Sequence, residues 1–454
     1  MKKHKLLLPL LLAASTLNLA ATTYQWDNAA TSSSWDTAAN WSPNGTPGEG
    51  DTIGTPLKTG AALVNGEKSV YSMDIGSAWT LRGTGGQSQL TIGAGGLIKS
   101  GSGTLVIRND NALATTVFNV TTSSVTLNGG SIAFGSSPNP LTSLYVSGVT
   151  SVTSSSATLP LYVLNATLAG GLDNAGTVGL HAGPDGTATA LTVGGITGSG
   201  TGVIRVASAS ANKSSTLKIA LGSGTKNYNG KIENGGATNS LTIEKTGTGT
   251  QILSNANTYS GGTTVEEGAL LVANASGSGV GTGEVAVKNS GTFGGTGIVA
   301  LAAGNAIIVD SGGTLIGGDG ETLNSVLTIA NDVTFQSGST IRLALGAGGA
   351  HSSIARTGGI WSFASDQSIF FDNISEGAQA GVVYSGIITG LASDPGVDGW
   401  TIANAGWTGM FSYDNGSVSV VLNSVIPEPA SVASVLAIVA ALAACCVCRR
   451  RSTR

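Results

Sequence analysis

The chain has 454 residues, of which 69 are glycine and only 10% are charged, with a net charge of −4. That balance leaves no basic footprint for nucleic acid, and glycine without a strict triplet period excludes collagen and argues against helix. The three cysteines, Cys445, Cys446 and Cys448, all lie near the C-terminus, so the body has no disulfides, thiolate metal site or cysteine nucleophile.

In chain order, residues 1–21 read as a secretory signal peptide. Met1-Lys2-Lys3-His4-Lys5 is its basic start, Leu6 to Ala14 its apolar stretch, and Ala20-Ala21 its cleavage region. Residues 22–62 form a Trp-rich N-terminal cap around Tyr24-Gln25-Trp26, Trp35 and Asn40-Trp41. Exposed ends of repetitive folds need caps. Indoles can also stack on sugars, so Trp26, Trp35 and Trp41 are the candidate glycan contacts.

From 63 to 358 one idea recurs: a few alternating apolar and Thr/Ser residues, then a glycine turn. Leu90-Thr91-Ile92 precedes Gly93, and Val125-Thr126-Leu127 precedes Asn128-Gly129-Gly130. Period-two alternation with frequent turns means strands with one buried face. Uniform composition over several hundred residues favours a coiling β-solenoid over a sandwich. Roughly 20 residues per rung would give about 15 to 20 rungs and a rod on the order of 80 Å. Residues 359–424, with Trp361, Trp400, Trp407, Phe370, Phe371, Phe411 and Tyr413, read as a C-terminal β cap.

The last segment, 425–454, has three parts. Val425-Ile426-Pro427-Glu428-Pro429 leads into an apolar run from Ala430 to Cys448, close to the roughly 20 residues that span a bilayer. Arg449, Arg450 and Arg451 follow as membrane-flanking basic residues, and Arg454 ends the chain; positive-inside logic leaves this end cytoplasmic and the body outside.

Two resemblances follow from these residues. The order Pro427-Glu428-Pro429, apolar helix, arginines is similar to the PEP-CTERM sorting signal of Gram-negative bacteria. It implies an exosortase-type processing protease as a partner and membrane lipid around the helix. Within 241–272, Lys245-Thr246-Gly247-Thr248-Gly249-Thr250, Asn257-Thr258-Tyr259-Ser260-Gly261-Gly262-Thr263 and Gly268-Ala269-Leu270 resemble the autotransporter-associated β-strand repeat. That resemblance implies an all-β, right-handed parallel β-helix, a solenoid of the pectin-lyase-like type. Gln251 departs from the repeat, which usually has an aliphatic residue there, and this predicts a looser strand. Tyr259 with Gly261 and Gly262 reads as an aromatic shelf beside a turn that admits no Cβ, and Asn255 and Asn257 as turn-lining ladders.

Catalytic groups are sparse. His181 and His351 are far apart in turn-like settings, and Asp173 and Asp185 flank His181 without pairing. Gly317-Gly318-Asp319-Gly320-Glu321 lacks the nonapeptide iteration of a calcium solenoid. Glu266-Glu267, if in a strand, point to opposite faces. Nothing in this inventory calls for a cofactor or a metal. The expectation is therefore a non-catalytic structural or adhesive protein, exported and held at the cell surface or in the matrix, with an extracellular polysaccharide as candidate partner. Its rivals are a polysaccharide-degrading β-helix enzyme, which needs a charged groove, and a carbohydrate-binding surface module, which needs exposed coplanar tryptophans.

Overall fold

Alternation along each strand separates inside from outside. In Ser240–Thr246 the residues Leu241, Ile243 and Lys245 are buried while Thr242, Glu244 and Thr246 stand outward. A strand of this kind cannot bury its apolar face alone, so it stacks on a copy of itself one turn later. The computed structural model describes residues 21–425, apart from 31, 59, 111–116, 138, 182–188 and 208–211, and shows how that stacking runs.

Leu191 lies beside Leu217, and Leu217 beside Ile243, in parallel ladders. The inward column Leu90, Val120, Leu144, Ala166, Leu191, Leu217 and Ile243 is continuous through successive pairings, and each of these side chains is buried. Apolar stacks on apolar, and the buried side chains form one continuous core. A second ladder runs through Thr225–Tyr228, Thr250–Leu253, Gly268–Val272, Gly291–Gly295, Thr314–Gly317, Thr340–Leu345 and Ser368–Asn373 to Thr401–Ile402. The protein is thus an all-β parallel solenoid of about 13 turns. At roughly 4.8 Å per turn the stack rises on the order of 60 Å. This is fewer turns than the 15 to 20 expected. Partners on the first ladder lie from 20 residues apart, at Ile243 and Thr263, to 30 apart, at Leu90 and Val120, because corner residues lengthen the turn.

Both ends turn antiparallel. At the N-terminal end Trp26 pairs with Trp41. At the C-terminal end Ser417–Ser424 runs antiparallel to both Val383–Thr389 and Thr408–Asp414. Reversing direction closes a parallel stack that would otherwise present an open edge. Among the described residues helix is limited to short 3-10 segments such as Ala38–Asn40 and Val397–Gly399. No helix among the described residues is long and apolar enough to cross a membrane. The signal peptide, Pro427, Glu428, Pro429, the apolar run and Arg449, Arg450 and Arg451 lie outside the described residues.

Candidate functional site

The candidate glycan contacts are corrected first, since of the two readings of the N-terminal indoles the structure shows the cap. Trp26, Trp35 and Trp41 are each 0% exposed, so no sugar ring can reach their faces. Trp41 meets Trp26 and Trp35 edge to face, with ring centroids 5.0 Å apart in both pairs, and its indole N–H donates to the Trp35 carbonyl at 2.8 Å. Trp79 joins the cluster at 6.3 Å. Edge-to-face packing satisfies the ring quadrupoles, and the cluster is a hydrophobic plug on the first turns.

Next comes the repeat. Tyr259 is fully buried and its hydroxyl lies 2.7 Å from the Thr263 hydroxyl. Gly261 has no room for a side chain, since a Cβ there would fall 2.6 Å from the Leu241 carbonyl oxygen. Asn255 donates to Asn229 one turn back, at 2.9 Å. Asn257 accepts from Ile232 N–H and donates to the Gly279 carbonyl, joining three successive turns.

Two buried cations went unread in the sequence. Lys245 and Lys99 are both 0% exposed. The Lys245 ammonium donates to the carbonyls of Thr246, Gly247 and Glu267 at 2.9, 2.6 and 3.1 Å. Lys99 does the same with Ser100, Gly101 and Ser102. An ammonium has three donors and no acceptor, so a ring of three carbonyls matches it. Gly101 and Gly247, with φ of 67° and 72°, allow the left-handed turn around each lysine. Burial lowers both amines, Lys245 to about 8 against the opposing pull of Glu267. The signal was present in the sequence: Lys99-Ser100-Gly101-Ser102-Gly103-Thr104 has the same pattern as Lys245-Thr246-Gly247-Thr248-Gly249-Thr250.

Most charged groups with a partner are engaged between turns. Of the seven ion pairs among the described residues, six join residues on neighbouring turns, including Lys218–Glu244 at 2.6 Å and Arg342–Asp372 at 2.8 Å. His181 lies against the Tyr162 ring, centroids 3.6 Å apart, and burial together with the Arg205 cation lowers its pKa to about 4. His351 is bracketed by the Ser352 and Ser385 carbonyls. Asp319 folds back on Glu321 and Thr322 as a local turn. Glu266 and Glu267 occupy a corner between strands rather than a strand, with both exposed.

What remains available lies on the outer surface. One outward column runs Thr225, Thr250, Ala269, Thr292, Thr314, Thr340, Ser368 and Thr401, one residue per turn. Near the C-terminal end a cleft of about 370 Å³ opens between Trp361, Phe363, Arg356 and the loop from Leu391 to Pro395. Trp361 and Phe363 are only partly buried, unlike the N-terminal indoles.

A parallel β-solenoid with this interior is a β-helical protein, and its repeats suggest the surface or passenger type. In keeping with that class, residues 97–133 and 243–272 match the passenger-associated-transport-repeat, and each match contains one of the two buried lysines. The second of them is the stretch singled out in the sequence; the first is an additional copy. No curated protein matches the chain.

Proposed function

We propose that this protein is a non-catalytic structural and adhesive rod, exported and sorted to the cell surface through a PEP-CTERM tail. The observation that carries the reading is the coincidence of two passenger-associated-transport-repeats with a parallel solenoid whose paired charges run mostly between turns. Charges committed to neighbouring turns are poor acids and bases for chemistry, whereas outward columns of threonine suit many weak contacts that sum through avidity. On this reading the solenoid is of the pectin-lyase-like type and its winding is right-handed, as parallel crossovers generally are. Residues 1–21 direct export. Pro427-Glu428-Pro429 presents an extended segment to an exosortase-type protease, while the apolar run and Arg449, Arg450 and Arg451 hold the chain in the membrane until processing.

The test is to fractionate cells that make the full chain and read both ends of the mature protein by mass spectrometry. A start near Ala21 and loss of everything beyond about Pro429, in the surface fraction, support the reading. A cytoplasmic protein running from Met1 to Arg454 overturns it. Release of reducing ends from a polysaccharide panel would overturn the non-catalytic part alone.

A further inference from the structure

The cleft at the C-terminal end lies where the first ladder stops. Val333 N–H bonds to the Ile360 carbonyl, and Val333 registers with Trp361. In a parallel pair this geometry turns the backbone N–H and C=O of Trp361 itself toward the opposite edge. Trp361–Ser362 is the last strand of that ladder, and no described strand pairs with its other side. Instead of another turn, the loop from Leu391 to Pro395 stands across an open space.

The walls of that space combine three properties. Its apolar floor is fixed: Phe363 stacks on Phe335 at 5.0 Å and leans on Trp400 at 5.1 Å, while the Trp361 indole N–H is tied to the Asn331 carbonyl at 3.1 Å. One rim carries Ile360, 74% exposed, the most exposed large hydrophobic residue described. The polar wall holds one cation and one anion. Arg356 is anchored by the carbonyls of Gly359 and Gly390 and has no ion-pair partner among the described residues. Asp394 accepts from Gly396 N–H through one oxygen and is otherwise exposed.

We infer that this cleft binds a neutral glycan, with one pyranose ring laid on Trp361 and with Phe363, tilted 53° to Trp361, as the side wall. A volume of about 370 Å³ falls within the range of small-ligand sites. Arg356 and Asp394 line the cleft with opposite charges and form no ion pair with each other, so the lining carries no net charge to favour an acidic or a basic ligand. The Asp394 carboxylate can accept from sugar hydroxyls, and the Arg356 N–H groups not turned to Gly359 and Gly390 can donate to them, while the C–H face of a pyranose matches a fixed aromatic ring. A peptide strand would gain little here, because the open edge is only two residues long.

The experiment uses the secreted full chain and titrates cellohexaose, mannohexaose, xylohexaose and, as the acidic counterpart, hexagalacturonate, read by calorimetry and tryptophan fluorescence. The expected result is saturable binding of at least one neutral hexasaccharide at a Kd of about 0.1–1 mM. Trp361→Ala and Ser393→Tyr, the latter filling the cleft from an exposed loop position, should each weaken it at least tenfold with an unchanged circular dichroism spectrum. If Trp361→Ala misfolds, Ser393→Tyr decides. Absence of binding by all three neutral sugars, preference for hexagalacturonate, or undiminished affinity in Ser393→Tyr would overturn the inference.

Discussion

The carboxamide of Gln251 bonds both backbone polar atoms of Ile196, 55 residues upstream, accepting from its N–H at 2.8 Å and donating to its carbonyl at 2.9 Å. It also donates to the carbonyls of Lys226 and Ile252, and it is fully buried. Between Ile196–Thr197 and Thr225–Tyr228 the ladder is reduced to one bridge, Gly198 to Tyr228, so the side chain stands in for the missing peptide. The same substitution of amide for peptide recurs where Asn274 meets Ile298, Asn331 meets Leu301 and Asn404 meets Phe371. A carboxamide has the same donor and acceptor pair as a backbone unit.

Replacing Gln251 with leucine, the repeat's usual type of residue, should therefore weaken the protein. Ile196 N–H and C=O would be left buried without partners, at a cost of about 2–4 kcal/mol. Urea unfolding of Gln251→Leu against the parent measures this. An unchanged or raised midpoint would show that the strand prefers an aliphatic residue after all.

Lys245→Met keeps the length of the side chain and removes its three donors. The carbonyls of Thr246, Gly247 and Glu267 then lose their common partner, which should cost about 1–3 kcal/mol. Lys99→Met should behave alike, and the double variant should be near the sum, since the two turns share no partners. Hydrogen exchange at Gly247 and Gly101 should rise locally in each variant. Strong coupling between the two sites would contradict independent turns.

His181 sets a pH dependence with a definite sign. Its folded pKa, about 4, lies below the ordinary 6.5, so the unfolded chain takes up the proton first. The contribution is fully present above pH 6.5, is lost as pH falls toward 4, and is flat below that. With solvent screening of a partly exposed ring allowed for, the loss is on the order of 2 kcal/mol. Denaturant titrations at pH 7 and pH 4.5 should show this extra loss in the parent and not in His181→Gln.

Removing the centre of the N-terminal plug should expose the first turns. Trp41→Ala deletes a fully buried indole packed against three others and should cost about 3–5 kcal/mol. Limited proteolysis should cut first within residues 22–62. In the parent, acrylamide should quench Trp361 emission while Trp26, Trp35 and Trp41 stay protected, and a uniformly quenched spectrum would contradict the burial of the plug.

Period-two alternation and glycine turns were enough to read the strands, the inward and outward faces and the solenoid class, because each depends on neighbours a few residues apart. The Tyr259 shelf and the tight approach at Gly261 were legible for the same reason, as was the second Lys-Gly repeat at 99–104 to an eye looking for it. The burial of Trp26, Trp35 and Trp41 was not. An aromatic residue is equally suited to a plug and to a sugar platform, and only contact with Trp79 and the first turns decides which. Nor could Gln251 or Lys245 be placed inside from composition alone, since polar residues belong outside unless a partner meets them. Those partners lie up to 55 residues away and come within reach only when the turns are stacked. Local alternation sets the rung, whereas the stacking of rungs decides which polar groups find buried partners and where an aromatic floor stays open.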